Sequence, residues 1–423
     1  MALRAGFAET DITPPIGTQI IGWLAVVVSQ RALDPLYARA AVFETDNGRI
    51  GFIQLDTLSI RWRQVQAIRE RISAQWGFPG ENVMIAATHN HAGPAVMNCG
   101  DARRDDAYLE TLTEKVVGVF GRALESLQEA QIGFGSLNEF DLSYNRRVIM
   151  RDGTVKCQHS FDDPNALCME GTIDPEVATL AARRSDGEWL GCLINFACHP
   201  THHGSDGSLS AGFPGALARE MKARGCPVTL FLNGAAGNII FFDVTHNLRG
   251  HSKEEIGARL AADAARVMGN MSFRRSMRAA SAARTISLPF RDPTEEEIRG
   301  TARGAQRFVD PAIYDREIPR VLERIRARGQ EKAQVQALAL DEITFVAVPA
   351  EYFVEFGLRL KEQGYPRRIL MVTHANGMVG YVPHREAFLR GGYETTFAGS
   401  SRLAPEAGDR IADCALALTR ELD

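Results

Sequence analysis

Two histidines one residue apart, His89 and His91, follow the apolar run Val83–Ala87, and His199 follows the apolar run Trp189–Phe196. Imidazoles near neutral pH are metal ligands or proton carriers. Positions i and i+2 of a strand face the same way, so His89 and His91 are expected to point into one pocket. His-x-His is also short and common, and alone it suits a pair of unrelated surface histidines equally well. Clustering adds a second reason to look for a metal. Of only ten histidines, His89, His91, His199 and His202 fall in two compact groups, with His203 beside the last. A small-residue loop, Asn233-Gly-Ala-Ala-Gly-Asn238, supplies a place where backbone can approach a ligand closely.

The elements that must carry these residues alternate between strands and helices. Apolar runs at 38–45 and 50–55 flank Asp46-Asn47-Gly48, a strong hairpin signal. Val65, Ile68, Ile72 and Trp76 recur at helical spacing before Gly77, a C-cap, and the His89 strand follows. Strand, helix, strand is a crossover that makes the two strands parallel neighbours. The stripe Leu109, Leu112, Val116, Val119, Phe120, Ala123 and Leu127 predicts a helix over 106–129. Asp152-Gly153, Asp186-Gly187 and Asp341-Glu342 read as hairpin turns. Helices are expected over 213–224, 252–268, after Pro349-Ala350-Glu351 to about 361, and 406–422, with a strand over 368–373. Thr294 and Glu297 form a capping box opening a helical region to about 328, whose Arg and Glu residues make a solvated face. No repeat or linker stands out. The expected fold is α/β: a single domain over 1–423, with mixed sheets flanked by helices and a helical insertion or lid at 290–330.

A net charge of −4 gives no basic excess for nucleic acid. The longest apolar runs fall far short of the ~20 residues of a membrane span, and the N-terminus lacks an apolar signal core. A cytoplasmic protein is therefore expected. Seven cysteines without a C-x-x-C indicate neither a disulfide frame nor a cysteine zinc knot.

Taken in order, Gly6-Phe-Ala-Glu-Thr-Asp-Ile-Thr13, Ala87-Thr-His-Asn-His-Ala-Gly-Pro94, Asn145-Arg146, Asn195-Phe-Ala-Cys-His-Pro-Thr201, Phe213-Pro-Gly215, Asn233–Asn238, Pro349-Ala-Glu351 and Gly380-Tyr381-Val382 resemble the catalytic domain of the neutral, non-lysosomal ceramidases and their shorter bacterial relatives. The resemblance implies a zinc-dependent amidase whose metal, Zn2+, is bound by His89, His199, Glu351 and Tyr381. It implies His91 as a proton carrier or substrate-orienting group, and Arg146 and Tyr393 as groups that polarise the substrate. The family's C-terminal immunoglobulin-like domain would not fit in the residues after Tyr393.

Zinc lowers the pKa of a bound water to roughly 7, which supplies hydroxide for attack on a carbonyl. The developing oxyanion needs donors already in place, and a base must carry the water's proton to the leaving amine. His91 is the candidate base. Two departures from the family bear on the substrate: Ile240 stands where ceramidases carry a serine, and Gly212 where an acid usually precedes Phe-Pro-Gly. Both remove polar groups, so a small soluble amide is expected rather than ceramide. Three readings stay open: an amidohydrolase, a zinc esterase or lactonase, and a zinc-containing binding protein without catalysis.

Overall fold

Three tight turns set the plan of the chain. Asp46-Asn47 joins Tyr37–Thr45 to Gly48–Leu55, the turn at Asp186-Gly187 joins Glu176–Arg183 to Trp189–Phe196, and Asp341-Glu342 joins Gln330–Leu340 to Ile343–Ala347, all antiparallel. Each second strand then leads through a helix to a parallel strand at the edge of its sheet. The helices are Trp62–Trp76, Gly212–Ala223 and Val354–Gln363, and the edge strands are Val83–Ala87, Thr229–Asn233 and Arg368–Val372. In this computed structural model, which describes residues 3–246 and 249–422, the chain thus builds one unit three times. No sequence repeat announces it, because each unit is specified by a burial pattern that different apolar residues satisfy. Met1 and Ala2 of the N-terminal segment lie outside the described residues.

The architecture is mixed α/β, with two five-stranded sheets and one four-stranded sheet as its largest. Phe43, Phe52, Leu180, Leu230, Phe345 and Leu370, drawn from all three, meet in one core. The three edge strands converge at their C-terminal ends. Ala87 N donates to His374 O (3.1 Å), Thr373 N donates to Asn233 O (2.9 Å), and Asn233 Nδ2 donates to Thr88 O (3.1 Å). These bonds satisfy backbone groups where the strands stop and hold three loops against one another.

The first helix ends at Gly77 in the left-handed conformation, φ 59°, as its C-cap role requires. The second runs Asp106–Glu125 and stops short of 129, because Gln128–Glu129 pairs with Arg4–Asp11 as a strand. The 294–328 region is two helices, Glu295–Arg299 and Pro311–Arg328; Gly300 at φ 72° ends the first. Ile313, Tyr314, Ile318 and Val321 of the longer one pack against Leu24 and Phe397. Glu351–Tyr352 is a strand parallel to Tyr381–Val382, and the helix expected after it runs Val354–Gln363. The strand Ala279–Pro289, which carries few large apolar residues, is specified by its partner Gln330–Leu340. Among the described residues, no helix is long and apolar enough to cross a membrane.

Candidate metal centre

His89 and His91 converge, but not through the pleat of a strand. The strand stops at Ala87, and His89 takes a left-handed backbone, φ 68°. That conformation is costly for a residue with a Cβ and persists only where neighbours enforce it. Here Thr88 N donates to Leu55 O (2.9 Å), Asn90 N to Thr57 O (3.1 Å) and Asn90 Nδ2 to Ser210 O (2.6 Å). The resulting turn brings His91 Nε2 to 3.2 Å from His89 Nε2.

His199 arrives from the second unit. Cys198 N donates to Asn233 Oδ1 (3.2 Å), so the one Asn233 amide ties both histidine loops together. His199 Nδ1 lies 2.8 Å from Ala236 O, and His89 Nδ1 lies 2.9 Å from Leu58 O. A carbonyl can only accept, so each Nδ1 carries the hydrogen, and each neutral ring presents a bare lone pair at Nε2. Those two Nε2 atoms lie 3.0 Å apart. Glu351 Oε2 stands 3.4 Å from one and 3.5 Å from the other, is buried, and has no hydrogen-bond partner.

Three buried acceptors facing one another with no proton to share make a donor set for a cation. Neighbouring ligand atoms in a tetrahedral zinc site with ~2.1 Å bonds are about 3.4 Å apart, so the spacing fits that ion. The ligand atoms of His89, His91 and His199 all lie within 4.8 Å of one another. Burial, aided by Arg146 and His89, brings the His199 ring down to about 4. Burial would raise the Glu351 carboxyl, but His89 and His199 hold it well below its usual range. His199 is therefore neutral and Glu351 ionised at neutral pH, the states in which each binds a metal.

Tyr381 sits opposite Glu351 in the register of the parallel pair. Its hydroxyl accepts from Arg146 Nη2 at 3.1 Å. Burial and then the Glu351 charge push that hydroxyl well above its usual range. Arg146 is buried and also donates to Gly237 O (2.7 Å) and Glu394 Oε1 (2.8 Å). Glu394, fully buried, accepts in addition from Arg147 Nη1 at 2.7 Å and from the Cys157 thiol at 3.2 Å. Tyr393 reaches this group through its ring, edge-on to Tyr381 at 5.6 Å between centroids.

The small-residue loop serves chiefly as support, through the carbonyls of Ala236 and Gly237. Ile240 is buried in a two-residue strand paired with Tyr144, next to Arg146. Gly212 opens a helix, its N–H donating to Ser210 Oγ at 3.1 Å. His202 stacks on Phe241 (3.7 Å), and His203 pairs with Asp206, so both stand apart from the cluster. Two residues escape a reading of the sequence. Glu394 shows no local signal. His374 is fully buried and stacks on His89 at 3.9 Å, with neither ring nitrogen hydrogen-bonded. Its signal was available: Thr373-His374 ends a buried strand just as Thr88-His89 does.

Comparison with known proteins bears on the family and the fold. Residues 3–212 match the family described as neutral/alkaline non-lysosomal ceramidase, N-terminal. A neutral ceramidase of Pseudomonas aeruginosa is 25% identical over 177 residues, which is 39% of this chain and 25% of that protein. The matched stretch thus spans a quarter of that relative's length. The crystal structure of neutral ceramidase from Pseudomonas aeruginosa has a TM-score of 0.76 at 18% identity, covering 99% of this chain and 74% of that one. A structure described as ceramidase complexed with C2 has a TM-score of 0.77 at 18% identity, covering 100% and 76%.

Proposed function

Because residues 3–212 belong to the neutral/alkaline non-lysosomal ceramidase family, we propose that this chain is a zinc-dependent hydrolase cleaving the amide bond of a small-molecule substrate. One observation carries the reading: two tautomer-locked histidines and an unpartnered buried carboxylate oxygen, Glu351 Oε2, share one point. His89, His199, Glu351 and Tyr381 would hold the ion. When bound, zinc acidifies a water and polarises a carbonyl.

The remaining work falls to the chain's own groups. His91 differs from its neighbours in one respect: its Nδ1 is buried with no partner, so no carbonyl fixes its tautomer. A ring free to exchange its proton between nitrogens suits transfer, whereas locked rings suit ligation. His91 Nε2 accepts the proton of the attacking water and returns it to the leaving nitrogen. Arg146, anchored by Glu394 and Gly237, presents a fixed positive charge where negative charge grows on the carbonyl oxygen. The Tyr381 hydroxyl stays protonated beside it, and Tyr393 walls the same side. Ile240 supplies no nucleophile, so attack by water is favoured over a covalent route.

The test joins metal analysis to turnover of a panel of N-acyl amides. The expected result is one zinc per chain and amide hydrolysis, both lost in His89→Ala with folding retained. Full hydrolysis in the metal-free protein would refute the reading.

A further inference from the structure

Helix Pro311–Arg328 carries Arg316, Arg320, Arg324 and Arg328 at four-residue intervals, one stripe of a single charge. Like charges at that spacing destabilise a helix. The two outer arginines have acids: Arg316 pairs with Asp101 and Arg328 with Glu331. Among the described residues, no carboxylate lies within ion-pair distance of Arg320 or Arg324.

Those two arginines line a cavity of about 210 Å³ whose inner wall includes Glu351, Gly380 and Leu58. Leu58 is the residue whose carbonyl fixes His89. A wider hollow of about 610 Å³ adjoins it, and Arg61, Arg324 and Arg402 line both. The two thus share a wall, and Glu351 brings the inner one to the edge of the candidate metal centre; together they are termed the passage. Its charge is unbalanced: besides Glu351, the inner cavity holds one acid, Glu317, and the wider hollow one, Glu331, which pairs with Arg402 and Arg328. Arg402 is more than nine-tenths buried and pairs with Glu331 at 2.9 Å, but its Nε has no hydrogen-bond partner. Arg61 is shifted down by burial and then by Arg324 and Arg402, so cations crowd this wall and outnumber its acids. The expected solvated face is therefore also a cavity wall.

We propose that this passage is a carboxylate subsite. Arg61, Arg320 and Arg324 hold the carboxylate of an N-acyl amino acid or similar anionic amide, while its scissile bond reaches Glu351 and the histidines. Guanidinium forks match a carboxylate in geometry and charge, and Glu351 in the inner wall sets that site at the edge of the reaction centre. A neutral lipid amide would leave these cations uncompensated.

This assignment rests on the hydrolase reading, and two measurements separate them. The first compares hydrolysis of N-acetyl-L-leucine with that of its carboxamide. The wild-type protein should prefer the carboxylate by about ten- to hundredfold in kcat/KM, the loss of one charge-assisted hydrogen bond. Arg324→Gln and Arg61→Gln should each erode that preference, mainly through KM. Arg326→Gln, on the same helix but outside the cavity lining, should preserve it. The second is calorimetric binding of N-methanesulfonyl-L-leucine, a sulfonamide that resists hydrolysis, and of its carboxamide. Arginine-dependent binding of the acid without turnover of any amide would keep the subsite and refute the hydrolase. Amide turnover indifferent to the carboxylate, in wild type and variants alike, would overturn the subsite and leave the hydrolase standing.

Discussion

Replacing Glu394 by glutamine tests how the arginine pair beside the candidate metal centre is held. The carboxylate is fully buried and bonded to Arg146 at 2.8 Å and Arg147 at 2.7 Å. Burial alone would raise its pKa, but the two guanidinium charges bring it from 4.5 down to about 2. At about 1.4 kcal/mol for each tenfold change in proton affinity, that difference contributes about 3 kcal/mol at neutral pH. Breaking a buried ion pair from one side costs a similar ~3–5 kcal/mol. Because the folded pKa is depressed, the stabilisation is complete above about 4.5 and disappears as pH falls through about 2. Urea unfolding of wild type and Glu394→Gln should therefore differ by about 3 kcal/mol at pH 7, and the gap should narrow steadily below about pH 4.5. A gap under ~1 kcal/mol at pH 7, or one that ignores pH, would refute the clamp.

Asn233→Ala removes the amide that ties Thr88 O to Cys198 N; metal affinity should fall about 10- to 100-fold, measured by competition with a chelator, while the circular dichroism spectrum is kept. Gly22 has φ +114°, and a Cβ there would sit 2.5 Å from His91 Nδ1. Gly22→Ala should thus displace His91 and lower kcat by at least about tenfold with zinc content unchanged, and normal turnover would remove His91 from the proposed mechanism.

What the sequence disclosed follows a physical line. His89, His91 and His199 were legible because buried strands end beside them and Pro or Gly follows closely. The hairpins were legible because Asp-Gly and Asn-Gly turns are local events. Glu351 as a ligand came only through the family resemblance, since its position opposite Tyr381 arises from a two-residue parallel pair. Glu394 was invisible because its partner Arg146 lies 248 residues away. The threefold plan was hidden as well. Its units share backbone topology and a common meeting point, neither of which constrains residue identity.

If the proposed metal centre holds its ion, that meeting point makes capture depend on all three units. The first unit brings His89, but the Ala236 carbonyl that orients His199 comes after the second crossover, and Glu351 and Tyr381 come with the third unit. A nascent or proteolytically shortened chain lacking the third unit would present imidazoles without their anionic counterpart. Bound zinc would then report that all three units have docked, which makes retained metal a gauge of chain integrity in any preparation.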